Sequence, residues 1–160
     1  MNRRDLIKIG ATVATAPAYA QQATAFTPKF FDAHQNETVI VLSELIIPTT
    51  DTPGGKAARV NEWMDKLFSD GRVEERSRIV EGLGSLDGIS LKKHSTPFIK
   101  CSKEQQISIL TDLDKSNNAF FRQAKALISR IYYATSVGYQ ELNKGGRVPK
   151  TTGCHHPQHA

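Results

Sequence analysis

The chain is poor in the residue patterns that build self-contained active sites. Its 160 residues include two cysteines, two methionines and one tryptophan. There is no Cys-x-x-Cys-His run, so covalent haem attachment by the usual signature is excluded. No dinucleotide fingerprint, cysteine quartet or Ser/His/Asp spacing is present. Beyond the first 20 residues no segment approaches the roughly 20 consecutive apolar residues of a membrane helix. No run alternates with the period of two expected of a strand, and no internal repeat is visible. The net charge of +5 includes Arg3, Arg4 and Lys8 against Asp5 at the N-terminus. The remaining basic residues are scattered, which argues against a nucleic-acid surface. With 39% hydrophobic and 23% charged residues, the rest reads as one globular domain with a real core.

The first 20 residues read as an export signal. Arg3 and Arg4 precede Leu6-Ile7-Lys8, a modest apolar run follows from Ile9 to Ala16, and Ala18-Tyr19-Ala20 ends it. A basic start, a short apolar middle and an Ala-x-Ala end define a secretory leader, and the paired arginines point to the twin-arginine route. Cleavage is expected after Ala20, with delivery to the periplasm. That route carries folded proteins. A small chain with no evident cofactor site of its own is therefore expected to be exported because of what it binds.

The mature chain reads as all-α, about five helices in a compact bundle-like domain with an irregular C-terminal tail. Residues 21–30 are expected to be a flexible lead, 31–154 the helical domain and 155–160 a tail. Asp32 and Gln35 make a capping box for a helix over 33–47, with Val39, Leu42, Leu45 and Ile46 on one face and Pro48 as its stop. Val60, Trp63, Met64, Leu67 and Phe68 form the next stripe, with Asn61 as the expected cap, Gly71 as the stop, and Trp63 and Met64 assigned to the core. A third helix is expected from Val73 to His94, with a break or a close helix contact at Gly82 or Gly84. Thr96 to Ile99 reads as an extended connection. Ser102 and Gln105 cap a fourth helix whose Ile107, Leu110 and Leu113 face inward. Asn117 or Asn118 opens a fifth, carrying Phe120, Phe121, Ala124, Leu127, Ile128, Ile131 and Tyr132. Thr135 to Gly138 interrupts it, a short helical piece reaches Leu142, and Gly145-Gly146 begins the tail.

Between the first two helices lies the least generic stretch, Pro48-Thr49-Thr50-Asp51-Thr52-Pro53-Gly54-Gly55-Lys56. It is not a phosphate loop, because a Walker pattern needs Gly at position 50 and Ser or Thr at 57, where this chain has Thr50 and Ala57. Asp51 as a catalytic acid lacks a second group tied to it by spacing, and an Asp before Pro-Gly ordinarily accepts bonds from turn amides. Cys154-His155-His156 with His159 has metal-binding residue types. It falls in the last seven residues and is broken by Pro157, unlike the paired ligands on a folded frame that zinc sites use. Cys101 and Cys154 can stay free, pair with each other, or bridge to another chain in an oxidising compartment.

The loop through Val60, together with Phe120-Phe121, Tyr132-Tyr133-Ala134-Thr135-Ser136-Val137-Gly138 and Gly153-Cys154, resembles the gluconate 2-dehydrogenase subunit 3 family. The resemblance spans about residues 31 to 154. It implies a small periplasmic subunit without catalytic, cofactor or metal residues of its own. Its expected partners are a large FAD-dependent sugar or sugar-acid dehydrogenase subunit and, in some complexes, a multihaem cytochrome c. The leader would carry the folded pair across the membrane. The expected contact residues are Pro48, Thr50, Asp51, Pro53, Gly54, Tyr132, Tyr133, Ser136 and Cys154. Two departures stand out: Gly54-Gly55 and Arg59 replace the family's usual Gly-Ala and a further Gly, and Pro149-Lys150 replaces a Pro-Gly. The alternative is a free-standing periplasmic helical binding module with a weakly metal-binding Cys/His tail.

Overall fold

In the computed structural model the described residues are 26–71 and 76–143, and they form six α-helices and one short 3-10 turn. The helices are α1 (Ala33–Ile46), α2 (Val60–Ser69), α3 (Arg76–His94), α4 (Lys103–Lys115), α5 (Ala119–Ala134) and α6 (Ser136–Asn143). The all-α expectation holds. The count is six because the short helical piece expected to reach Leu142 is a helix of its own, α6.

The amphipathic stripe of α5 sets the core. Phe121, Ala124, Leu127, Ile128, Ile131 and Tyr132 are buried along one side, and α5 packs against α1, α2, α3, α4 and α6. Leu42, Met64, Phe68, Leu86, Phe98 and Ile109 complete the centre at 1% exposure or less. Each side chain of this kind contributes on the order of 1.5–3 kcal/mol by leaving water.

Local signals explain most boundaries. Asp32 accepts from the Gln35 amide at 2.7 Å while Gln35 accepts from the Asp32 amide at 3.2 Å, the reciprocal box that opens α1. Ser102 and Gln105 repeat this at α4. Asn118 caps α5 by accepting from the Phe121 amide at 3.1 Å. α1 stops at Ile46, before Pro48, and α2 ends at Ser69, ahead of Gly71.

Several expectations are corrected. Asn61 does not cap α2; it is buried and donates to the Asn36 side chain at 2.9 Å, tying α2 to α1. The cap is Arg59, in the left-handed region at φ 55° and ψ 40°. Trp63 is not core but half exposed, and Ile107 is also exposed, with Ile109 taking the inward position on α4. α3 does not break at its glycines. Of the two alternatives expected there, the close helix contact is the one found, at Gly82, since a Cβ there would overlap the Phe120 ring of α5. Phe98–Lys100 is a 3-10 turn and not an extended strap. It is held by Asp87, which accepts the Phe98 amide, and by Gln106, which donates to the Phe98 carbonyl, both at 2.9 Å.

The end of the expected lead is anchored. Asp65, 2% exposed on α2, accepts the backbone amides of Lys29, Phe30 and Phe31 at 2.9, 3.0 and 2.9 Å. Phe30 and Phe31 then pack edge-on against each other and against Phe68. The expected leader, residues 1–20, lies outside the described residues, as do the start of the third helix before Arg76 and the Gly145-Gly146 tail.

Candidate functional site

The loop between α1 and α2 and the end of α5 are far apart in sequence and meet at one corner. Tyr132, fully buried, sends its hydroxyl to the Pro53 carbonyl at 2.8 Å and to Glu141 Oε2 on α6 at 2.7 Å. That oxygen carries one hydrogen and faces two acceptors. Burial and the Glu141 carboxylate both disfavour the phenolate, and the Tyr132 pKa is pushed up to about 12. Tyr132 is therefore a neutral strut joining loop, α5 and α6, and not a proton donor near neutral pH.

The loop is held from the other side by Glu44, in the last turn of α1. Its Oε1 accepts the Thr49 amide at 2.8 Å and its Oε2 accepts the Lys56 amide at 3.1 Å. Burial alone would raise the Glu44 pKa; the Thr49 amide and hydroxyl, then the Lys56 amide and ammonium, outweigh it and hold the pKa below the ordinary value. Gly55 donates to the Ile47 carbonyl at 2.8 Å, and Gly54 donates to the Thr49 hydroxyl at 3.0 Å. Both glycines are pressed on the end of α1: a Cβ on Gly54 would lie 2.5 Å from the Thr49 nitrogen, and one on Gly55 would lie 2.5 Å from the Ser43 carbonyl oxygen. Only glycine permits that approach. Amides that could have cradled an anion are turned to the chain's own carboxylate and carbonyls.

The α5–α6 junction is equally close. Thr135 separates the helices, its hydroxyl donating to the Tyr132 carbonyl at 2.6 Å and accepting the Gly138 amide at 3.2 Å. Gly138 is buried against the backbone of Tyr132 and Tyr133, where no side chain fits. This folds α6 back so that Val137, Gly138 and Glu141 face α5, while Tyr139 and Leu142, three residues apart, lie on the outer side at 53% and 38% exposure.

Of the expected contact residues, Pro48, Thr50, Asp51 and Pro53 form an exposed loop crest. Tyr133 is 40% exposed and packs edge-on on Tyr132 at 5.1 Å between ring centroids, and Ser136 is exposed at the start of α6. Gly54 and Tyr132 are buried, so they shape this surface from beneath. Asp51 accepts from the Thr50 hydroxyl at 2.9 Å. Cys154 and the His155-His156 pair lie outside the described residues. Cys101 is a buried free thiol, its Sγ 2.9 Å from the Ser90 hydroxyl. Sequence reasoning missed Glu44, Glu141 and the outer face of α6. Glu44 had a signal: it lies one turn before the helix stop, within reach of any loop that folds back.

Away from the residues of the corner, α2 and the anchored lead line a groove of about 390 Å³. Phe26 and the half-exposed Trp63 line it, with the Lys66 ammonium 5.6 Å above the Trp63 ring. Among the described residues no group of three or more His, Cys, Asp or Glu side chains is placed to hold a metal ion, and no helix is long and apolar enough to cross a membrane. The corner presents a hydrogen-bonded loop, a carboxylate and exposed tyrosines.

Comparison with protein-family models finds one described as Gluconate 2-dehydrogenase subunit 3, matching residues 33–146. The match includes the loop and the Tyr132–Gly138 block and ends before Gly153-Cys154, which the resemblance had included. Comparisons with curated proteins and with solved structures returned no match.

Proposed function

The chain belongs to the gluconate 2-dehydrogenase subunit 3 family, and from that membership we propose that it is the accessory subunit of a periplasmic FAD-dependent dehydrogenase. It escorts the folded large subunit through twin-arginine export and stabilises it afterwards. FAD and the catalytic residues belong to the large subunit, which sets the substrate, and electrons leave through a multihaem cytochrome c. The chain takes no chemical step of its own.

The observation that carries this reading is the corner. Two segments 79 residues apart are locked together through Tyr132 and Pro53. The result is an exposed crest, Pro48 to Pro53, tied to the helix pair α5–α6 that carries the exposed Tyr133 and Tyr139. Tyrosines on a preorganised backbone supply contact area at small entropic cost.

Purification of the tagged chain from the periplasm is expected to bring down a flavoprotein several times its mass. Changing Arg3 and Arg4 to Lys is expected to leave both proteins in the cytoplasm. A lone monomer from the periplasm, with every flavoprotein exported normally after deletion of this chain, overturns the proposal.

A further inference from the structure

The described residues include five arginines, and three of them are engaged within the chain. Arg59 pairs with Glu62, Arg76 reaches the Phe68 carbonyl and the Phe30 ring, and Arg122 donates to Asn117. Arg78 on α3 and Arg130 on α5 have no such partner among the described residues, and both line one groove of about 270 Å³ between their helices. Its other walls are Gln123, Ala126 and the buried Ile79 and Leu127. Two guanidiniums stay charged at any physiological pH and repel each other across a shared groove. Over an apolar floor, and with no carboxylate among the described residues that line the groove, they are complementary to an external anionic group, which each fork can bind through two parallel hydrogen bonds.

The groove also has a direction. Gln123, Ala126, Leu127 and Arg130 form one row along α5, and the next residue of that row is the exposed Tyr133 at the loop corner. We propose that the groove receives an acidic segment of the dehydrogenase subunit, whose carboxylates pair with Arg78 and Arg130 as a charged extension of the Tyr133 contact. This rests on the accessory-subunit reading. It adds the chemistry of the partner's side: acidic residues over the α3–α5 groove.

The test measures the affinity of the mature chain for the co-purified flavoprotein subunit at several salt concentrations. The wild type, the pair R78Q/R130Q and the pair R78E/R130E are compared, with thermal unfolding as a control for folding. Charge reversal is expected to weaken binding by roughly 10- to 100-fold and to flatten its salt dependence, with the glutamine pair between. Unchanged affinity and salt dependence in both pairs, with the wild type binding normally, overturns the inference and leaves the accessory role standing. Failure of the wild type to bind any flavoprotein removes the accessory role itself. Titrations of sulfate and of gluconate into the mature chain are expected to show no saturable binding. Saturation that R130Q abolishes would make the groove a small-anion pocket and overturn the partner assignment.

Discussion

Two helices each use a carboxylate to hold an irregular neighbour, α2 through Asp65 and α1 through Glu44, and the two arrangements differ in depth. Asp65 is 2% exposed and accepts three consecutive amides from the segment entering α1. Glu44 is only partly buried and accepts two amides from the loop leaving α1. Water cannot replace Asp65 as the acceptor for the buried Phe31 amide, whereas it can reach much of the Glu44 site. The deeper anchor carries stability; the shallower one carries shape, keeping the Pro48–Pro53 crest in place while leaving it exposed.

The largest effect expected from this contrast is at Asp65. Asp65→Ala removes the acceptor of three amides and should cost about 3 kcal/mol or more, roughly a 10 °C fall in Tm for a chain of this size. Asp65→Asn, which keeps one oxygen, should fall between. Urea unfolding of the mature chain measures both, and a cost below that of the matching change at Glu44 would break the comparison.

Glu44→Gln comes next, at about 1–2 kcal/mol, because the amide that replaces one oxygen presents donors to a backbone donor. Its pH dependence sharpens the point. The Glu44 pKa is lowered on folding, so its stabilisation is fully present above the unfolded value near 4.5 and is lost as pH falls through the folded value. The gap between wild type and Glu44→Gln should therefore be widest near neutral pH and close in acid. A gap that widens as pH falls below 4 would show that Glu44 does not hold the loop as an anion.

How much of this was legible follows from the range of each interaction. Both capping boxes, the Pro48 stop and the α5 stripe are set by residues within one or two turns, and all were readable. Trp63 and Met64 share one stripe, and spacing alone could not say that only Met64 would find the core. Asn61 looked like a cap because its buried partner, Asn36, lies 25 residues away. Phe98 reads as extended until Asp87 and Gln106 bind its amide and carbonyl. At the corner, the loop and the Tyr132–Gly138 block were recognisable by resemblance. Their meeting was not, because it depends on a hydroxyl reaching a carbonyl 79 residues away.

The smallest expected effect lies at Arg59, the joint between the two anchors. The loop is tied back to α1 by Glu44, α2 is tied to the lead by Asp65, and Arg59 absorbs the turn between them at φ 55°. That conformation costs a residue with a side chain roughly 1–2 kcal/mol and glycine much less. Glycine is also tolerated at a helix N-cap. Arg59→Gly forfeits the exposed pair with Glu62, worth about 0.2–1 kcal/mol, and should still gain about 0.5 kcal/mol, a rise of roughly 1–2 °C in Tm. Arg59→Ala loses the same pair without relieving the backbone and should be less stable than wild type. The ordering Gly above wild type above Ala would place strain at the joint. A glycine variant no more stable than the alanine one would mean that Arg59 is retained for its charge, beside Trp63 in the groove on α2.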